Sequence, residues 1–94
     1  MRSHSVYKVP QGKLLKISLE YDKKHNVIKD IRITGDFFAY PEEAIEQMEA
    51  QLKNMSIDRE VLQRKISSII STSHMQFIGL NAEGLTQGIL MCVS

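Results

Sequence analysis

Apolar and polar positions alternate most cleanly between Leu14 and Thr34. Leu15, Ile17, Leu19 and Tyr21 are interleaved with Lys16, Ser18 and Glu20, the period of a strand with one face buried and the other wet. Asp22-Lys23-Lys24-His25-Asn26 makes a polar turn, after which Val27 to Thr34 sets Ile31 and Ile33 against Asp30, Arg32 and Thr34. So short a turn predicts an antiparallel hairpin. Upstream, Met1 to Ser5 has no pattern and is expected to fray, while Tyr7 to Lys13 carries the Pro and Gly of a tight turn leading into the first strand. Downstream, Gly35-Asp36 ends the second strand, and Phe37-Phe38-Ala39-Tyr40 reads as a short third strand or edge segment.

The period then changes to that of helices. Pro41-Glu42-Glu43 is a helix start, because proline suits the first helical position and carboxylates favour the positive end of the helix dipole. Ala44, Ile45, Met48 and Leu52 form its apolar stripe, with Glu46, Glu49 and Lys53 facing water and a stop near Asn54. Asp58 caps a second helix carrying Leu62, Ile66, Ile69 and Ile70, which ends in Ser71-Thr72-Ser73. Phe77 to Leu80 is a short apolar connector, and Asn81 caps a last helix through Leu85, Ile89 and Cys92. Gly84 and Gly88 strip side chains from one face of that helix, which predicts close approach of another backbone. The pattern as a whole is an α+β domain: a small antiparallel sheet, made of the hairpin and a short third strand, with about three helices packed on one face.

Composition narrows the partners without naming one. Ninety-four residues make a single domain, 1–94, with a core large enough to need no disulfide or metal staple. A formal charge of +1 and the absence of like-charge runs give no field for nucleic acid. No apolar run approaches the roughly 18–20 residues needed to cross a bilayer, so no membrane role is expected. The one cysteine, Cys92, and the lack of a signal-peptide pattern point to a reducing cytoplasm.

Catalytic chemistry finds little support. His4, His25 and His74 have no Cys or carboxylate at metal-ligand spacing, and Cys92 has no base beside it. Gly12-Lys13 lacks the other glycines and the hydroxyl residue of a phosphate loop, and a strand follows it where a helix is needed. Lys13 can still place a positive charge near a partner's phosphate-bearing ligand; a plain surface lysine is the ordinary reading. Asp36 is expected to satisfy backbone N–H groups in the turn that Gly35 permits. Of the adjacent Phe37 and Phe38, one must face away from the core unless the domain's own helices cover both, which makes a second protein surface a fair expectation.

Read together, Lys8-Val9-Pro10-Gln11-Gly12-Lys13-Leu14, the hairpin, Ile33-Thr34-Gly35-Asp36-Phe37-Phe38 with Pro41-Glu42-Glu43, and Glu49-Ala50-Gln51-Leu52 resemble the C-terminal accessory domain of lipoate–protein ligases. The resemblance covers nearly the whole chain, and its most specific part is Thr-Gly-Asp-Phe-Phe followed by Pro-Glu-Glu. In that family a large catalytic domain binds lipoate and ATP, forms lipoyl-adenylate and transfers the lipoyl group to a lysine of an acceptor domain. Here the small domain begins with its own methionine, as in the split, two-subunit form of some archaea.

What the resemblance implies is an accessory subunit, inactive alone, that supports adenylation by ordering the partner's adenylate-binding region. It binds no cofactor or metal by itself; ATP with Mg and lipoate belong to the heterodimer with the catalytic subunit, and acceptor domains are met indirectly. Lys8, Lys13, Gly35, Asp36, Phe37 and Phe38 are the expected interface or adenylation-supporting residues, with no catalytic residue among them. Folds of this type are similar to small iron–sulfur scaffold and sulfur-acceptor proteins, whose cysteines this chain lacks. The alternative is a stand-alone binding module for another protein; a self-sufficient enzyme built on Lys13, Asp36 or a histidine lacks a nucleophile and base that converge.

Overall fold

The hairpin read from the alternation is the centre of the fold. A computed structural model describes residues 1–93, with β1 (Arg2–Lys8), β2 (Leu14–Asp22), β3 (Val27–Gly35), β4 (Phe38–Tyr40), α1 (Ala44–Leu52), α2 (Arg59–Thr72), β5 (Gln76–Ile78) and α3 (Ala82–Val93). Strands β2 and β3 pair antiparallel with Ile17 opposite Ile33 and Leu19 opposite Ile31, and a register shift follows at Glu20/Tyr21. Leu15, Ile17, Leu19, Ile28, Ile31 and Ile33 are all buried on the face that meets the helices.

The N-terminus does not fray. Residues 2–8 form β1, antiparallel to β2 from Arg2 opposite Glu20 to Lys8 opposite Leu14, which completes a sheet of order β1-β2-β3. Its alternation is hidden because a small hydroxyl side chain stands at a core position. Ser5 is buried and donates to the Gly88 carbonyl at 2.7 Å, so a polar atom is accommodated where an apolar one was sought. Arg2 adds an exposed ion pair with Glu20 at 3.1 Å.

The short third strand expected beside the hairpin is real, but it belongs to a different sheet. Strand β4 pairs with β5, the segment read as a connector, in a separate two-stranded ribbon: Phe38 opposite Ile78, Ala39 opposite Phe77 and Tyr40 opposite Gln76. The outer edge of β3 is already occupied. Ile28 exchanges bonds with the α1–α2 connection, its N–H reaching Met55 O at 2.9 Å and its carbonyl accepting from Asn54 N at 2.7 Å. Farther along, the Ile33 N–H donates to the Glu49 carboxylate at 2.7 Å. Glu49 therefore seals a sheet edge instead of facing water.

The helices cover one face of the three-stranded sheet, α1 against β3, α3 against β1 and β2, and α2 against both α1 and α3. Helix α1 begins at Ala44, not at Pro41; residues 41–43 form a turn closed by Ala44 N to Pro41 O at 2.9 Å. Asp58 caps α2 as expected, accepting from Val61 N at 3.1 Å, and Asn81 Oδ1 accepts from Gly84 N at 2.7 Å at the start of α3. The glycines of α3 sit where the helix meets the sheet. A Cβ on Gly88 would stand 2.8 Å from Ile17 Cδ1 and 2.9 Å from Leu15 Cδ2, closer than van der Waals packing allows. Gly88→Val should accordingly cost about 1–3 kcal/mol through overpacking, read as a lower urea midpoint with an unchanged slope.

Candidate partner-binding site

Most of the residues singled out in the sequence gather at one end of the molecule, where the β1–β2 turn, the end of β3 and the ribbon meet. The β1–β2 turn is closed by Gly12 N to Val9 O at 2.8 Å and Val9 N to Lys13 O at 3.1 Å. Lys8 serves that turn itself: its ammonium donates to Gly12 O at 2.7 Å. The backbone of Lys13 is held by Gly79, whose carbonyl accepts from Lys13 N at 2.9 Å, and the Lys13 side chain lies over the same glycine. Gly79 also directly follows β5, so the turn and the ribbon are fastened together.

Gly35 and Asp36 continue this junction. The Asp36 N–H donates to Leu14 O at 3.0 Å, which pins Asp36 at the first residue of β2, directly after Lys13. Gly35 has φ +154°, and any Cβ there would run into the Leu14 carbonyl. The Asp36 carboxylate does not close its own turn as expected. It is exposed and, among the described residues, accepts no hydrogen bond; Lys13 is exposed and has no ion pair. Backbone hydrogen bonds thus hold the main chain of Asp36 beside Leu14 and of Lys13 against Gly79, and among the described residues neither charge has an ion-pair partner.

The paired phenylalanines divide. Phe37 is half-buried against the core, while Phe38 is 76% exposed. With Tyr40 and Ile78 it lines an open groove of about 320 Å³, together with Ala39, Glu42 and Gln76. Tyr40, Ile78 and Gly79 were not among the residues expected from sequence. The adjacent apolar pair Phe77-Ile78 carries the same signal as Phe37-Phe38, and reading it as a connector concealed its outward half.

Among the described residues no three His, Cys, Asp or Glu side chains are grouped to hold a metal ion. His25 is exposed and pairs with Asp22, Nδ1 to Oδ2 at 2.6 Å, and this hydrogen bond holds the Asp22 carboxyl below its usual range. Cys92 is buried against β2, and burial pushes its thiol up. A high pKa and no access make a poor nucleophile. Labelling of Cys92 by a chromogenic disulfide at pH 8 should run at least about 100-fold slower in the native chain than in denaturant, since it must wait for the structure to open.

Comparison with known proteins places this geometry in context. Residues 10–88 match the family described as bacterial lipoate protein ligase C-terminus, a span that includes Lys13, Gly35, Asp36, Phe37 and Phe38 and leaves out Lys8. Lipoate-protein ligase A subunit 2 of Thermoplasma acidophilum is 35% identical over 86 residues, covering 88% of this chain and 82% of that protein. A chain from the solved structure of an archaeal lipoylation system, a bi-partite lipoate protein ligase and its E2 lipoyl domain from Thermoplasma acidophilum, superposes with a TM-score of 0.79 and 30% identity, covering 95% of this chain and 94% of that one.

Proposed function

The chain belongs to the family of lipoate protein ligase C-terminal domains, and from that premise we propose that residues 1–94 are a single accessory domain, the small subunit of a two-part lipoate–protein ligase. The observation that carries this reading is the likeness, along nearly the full length of both chains, to a protein that is itself a numbered subunit of a ligase. Its role is to support activation of lipoate to lipoyl-adenylate. The reacting groups, a lipoate carboxylate and the α-phosphate of ATP with its Mg, sit in the catalytic subunit, and the acceptor lysine is met there afterwards. Among the described residues no helix is long and apolar enough to cross a membrane.

This chain's own contribution is orientation and charge. The backbones of Lys13 and Asp36 are held by hydrogen bonds to Gly79 and Leu14, so a loop of the partner that pairs with the two side chains meets charges that project from a fixed main-chain frame. A loop fixed around ATP and lipoate brings carboxylate and phosphate into line and excludes water, which accelerates the first half-reaction without a general acid or base from this subunit. Gly35 and Lys8 act through the frame, Gly35 by letting β3 pass under Leu14 and Lys8 by tightening the Gly12 turn. Transfer from preformed lipoyl-adenylate needs no such ordering of ATP and depends on this chain less.

Pyrophosphate release from ATP and lipoate by the catalytic subunit should require this chain. Lys13→Ala and Asp36→Ala should each lower that rate about tenfold or more at saturating subunit, with a smaller effect on transfer from added lipoyl-adenylate. Equal release without the chain contradicts the subunit role; normal rates from both variants contradict the residue assignment alone.

A further inference from the structure

Among the described residues the three most exposed large apolar side chains are Phe38, Ile78 and Tyr40, at 76%, 70% and 69%. They share the outward face of the β4–β5 ribbon, with Phe38 directly opposite Ile78. The inward face, Ala39 and Phe77, rests on the core. The other exposed large apolar residues, Met1, Val6, Val61 and Met91, fall outside the ribbon. A two-stranded ribbon is marginal by itself, and this one turns its apolar residues to water on the side the core does not reach.

We infer that this ribbon face is the hydrophobic centre of the contact with the catalytic subunit, an inference that rests on the two-part ligase reading. Aromatic side chains present roughly 150–250 Å² each, so at these exposures the patch amounts to something on the order of 400 Å². The largest apolar patch on a monomer is commonly of this size and often functional. It is also only about half of the 800 Å² per partner that a standard interface buries. A two-fold pair of ribbons would therefore fall short of a stable homodimer. The missing area lies next to the ribbon, at the charged end already described: Gly79, joined to Lys13 at 2.9 Å, follows Ile78, and Asp36 precedes the two phenylalanines. A larger partner that meets both surfaces has an apolar centre and a polar rim, the usual anatomy of a specific interface.

The surface this face fits is apolar and nearly uncharged opposite Phe38 and Ile78, with a hydrogen-bonding group within reach of the Tyr40 hydroxyl. Affinity and activation are then separable. The ribbon holds the two subunits together, and Lys13 and Asp36 act on the loop once they are joined.

The test uses the full chain, the catalytic subunit from the same organism, and the double variant Phe38→Ser/Ile78→Ser. Both side chains are exposed, so the thermal midpoint should stay within a degree or two of the unaltered chain. Calorimetric titration should show Kd for the catalytic subunit raised about 30-fold or more. Pyrophosphate release should recover at saturating variant. Equal Kd values overturn the ribbon assignment and leave the ligase reading intact, whereas failure of the unaltered chain to bind removes the ligase reading itself. A dimer of the unaltered chain in sedimentation velocity, lost in the variant, overturns the assignment in favour of a second copy. Failure to recover at saturation overturns the separation of holding from activating.

Discussion

The close seating of α3 on β1 and β2 is the contact on which the rest of the structure depends. Gly88 removes the side chain that would strike Ile17 and Leu15, and the backbone carbonyl brought near by that approach is taken by the Ser5 hydroxyl at 2.7 Å. One small residue and one hydroxyl thus fix the height of the helix over the sheet. With α3 placed, Asn81 caps its start and Gly79 is carried against the β1–β2 turn. The position of Lys13 follows from the packing of a helix whose own residues it never touches through its charge.

A second constraint shapes the opposite edge of the sheet. Every strand edge must be paired, covered or blunted. At β3 this is done by the α1–α2 connection and by Glu49, which accepts the Ile33 N–H at 2.7 Å. The chain after Gly35 has no room to continue as a fourth strand of that sheet, and it departs to pair with β5 instead. The ribbon so formed presses Ala39 and Phe77 on the core and leaves Phe38, Tyr40 and Ile78 outside. An edge protected at one place has produced an apolar face at another, beside the exposed charged residues Lys13 and Asp36.

Much of the fold was legible because its period was carried by large apolar residues. The β2–β3 hairpin, the Asp58 and Asn81 caps and the small-residue face of α3 all stand where periodicity and capping chemistry put them. Strand β1 was hidden because Ser5 occupies a core position, and strength of alternation is judged on hydrophobicity. Glu49 was misread for the complementary reason: a carboxylate at a surface-like helix position has its partner in a distant backbone N–H that no local pattern reveals. Pro41 signalled a helix but belongs to the turn before it. At the candidate site, Phe38 and the glycine–acid turn were visible as a doubled aromatic and a broken strand, while Tyr40 and Ile78 were not. Their exposure depends on β4 pairing with β5, a contact between segments separated by two helices.

The proposed working surface lies at one end, where the ribbon, the β1–β2 turn and Gly35-Asp36 meet, and the outer face of the three-stranded sheet stays out of the proposed contact. Hydrogen–deuterium exchange of this chain with and without the catalytic subunit tests that division most directly. Slowed exchange confined to residues 11–13, 36–40 and 76–80 is the result the account predicts. Protection centred on the outer face of β1 and β2, with residues 36–40 and 76–80 unchanged, would contradict it.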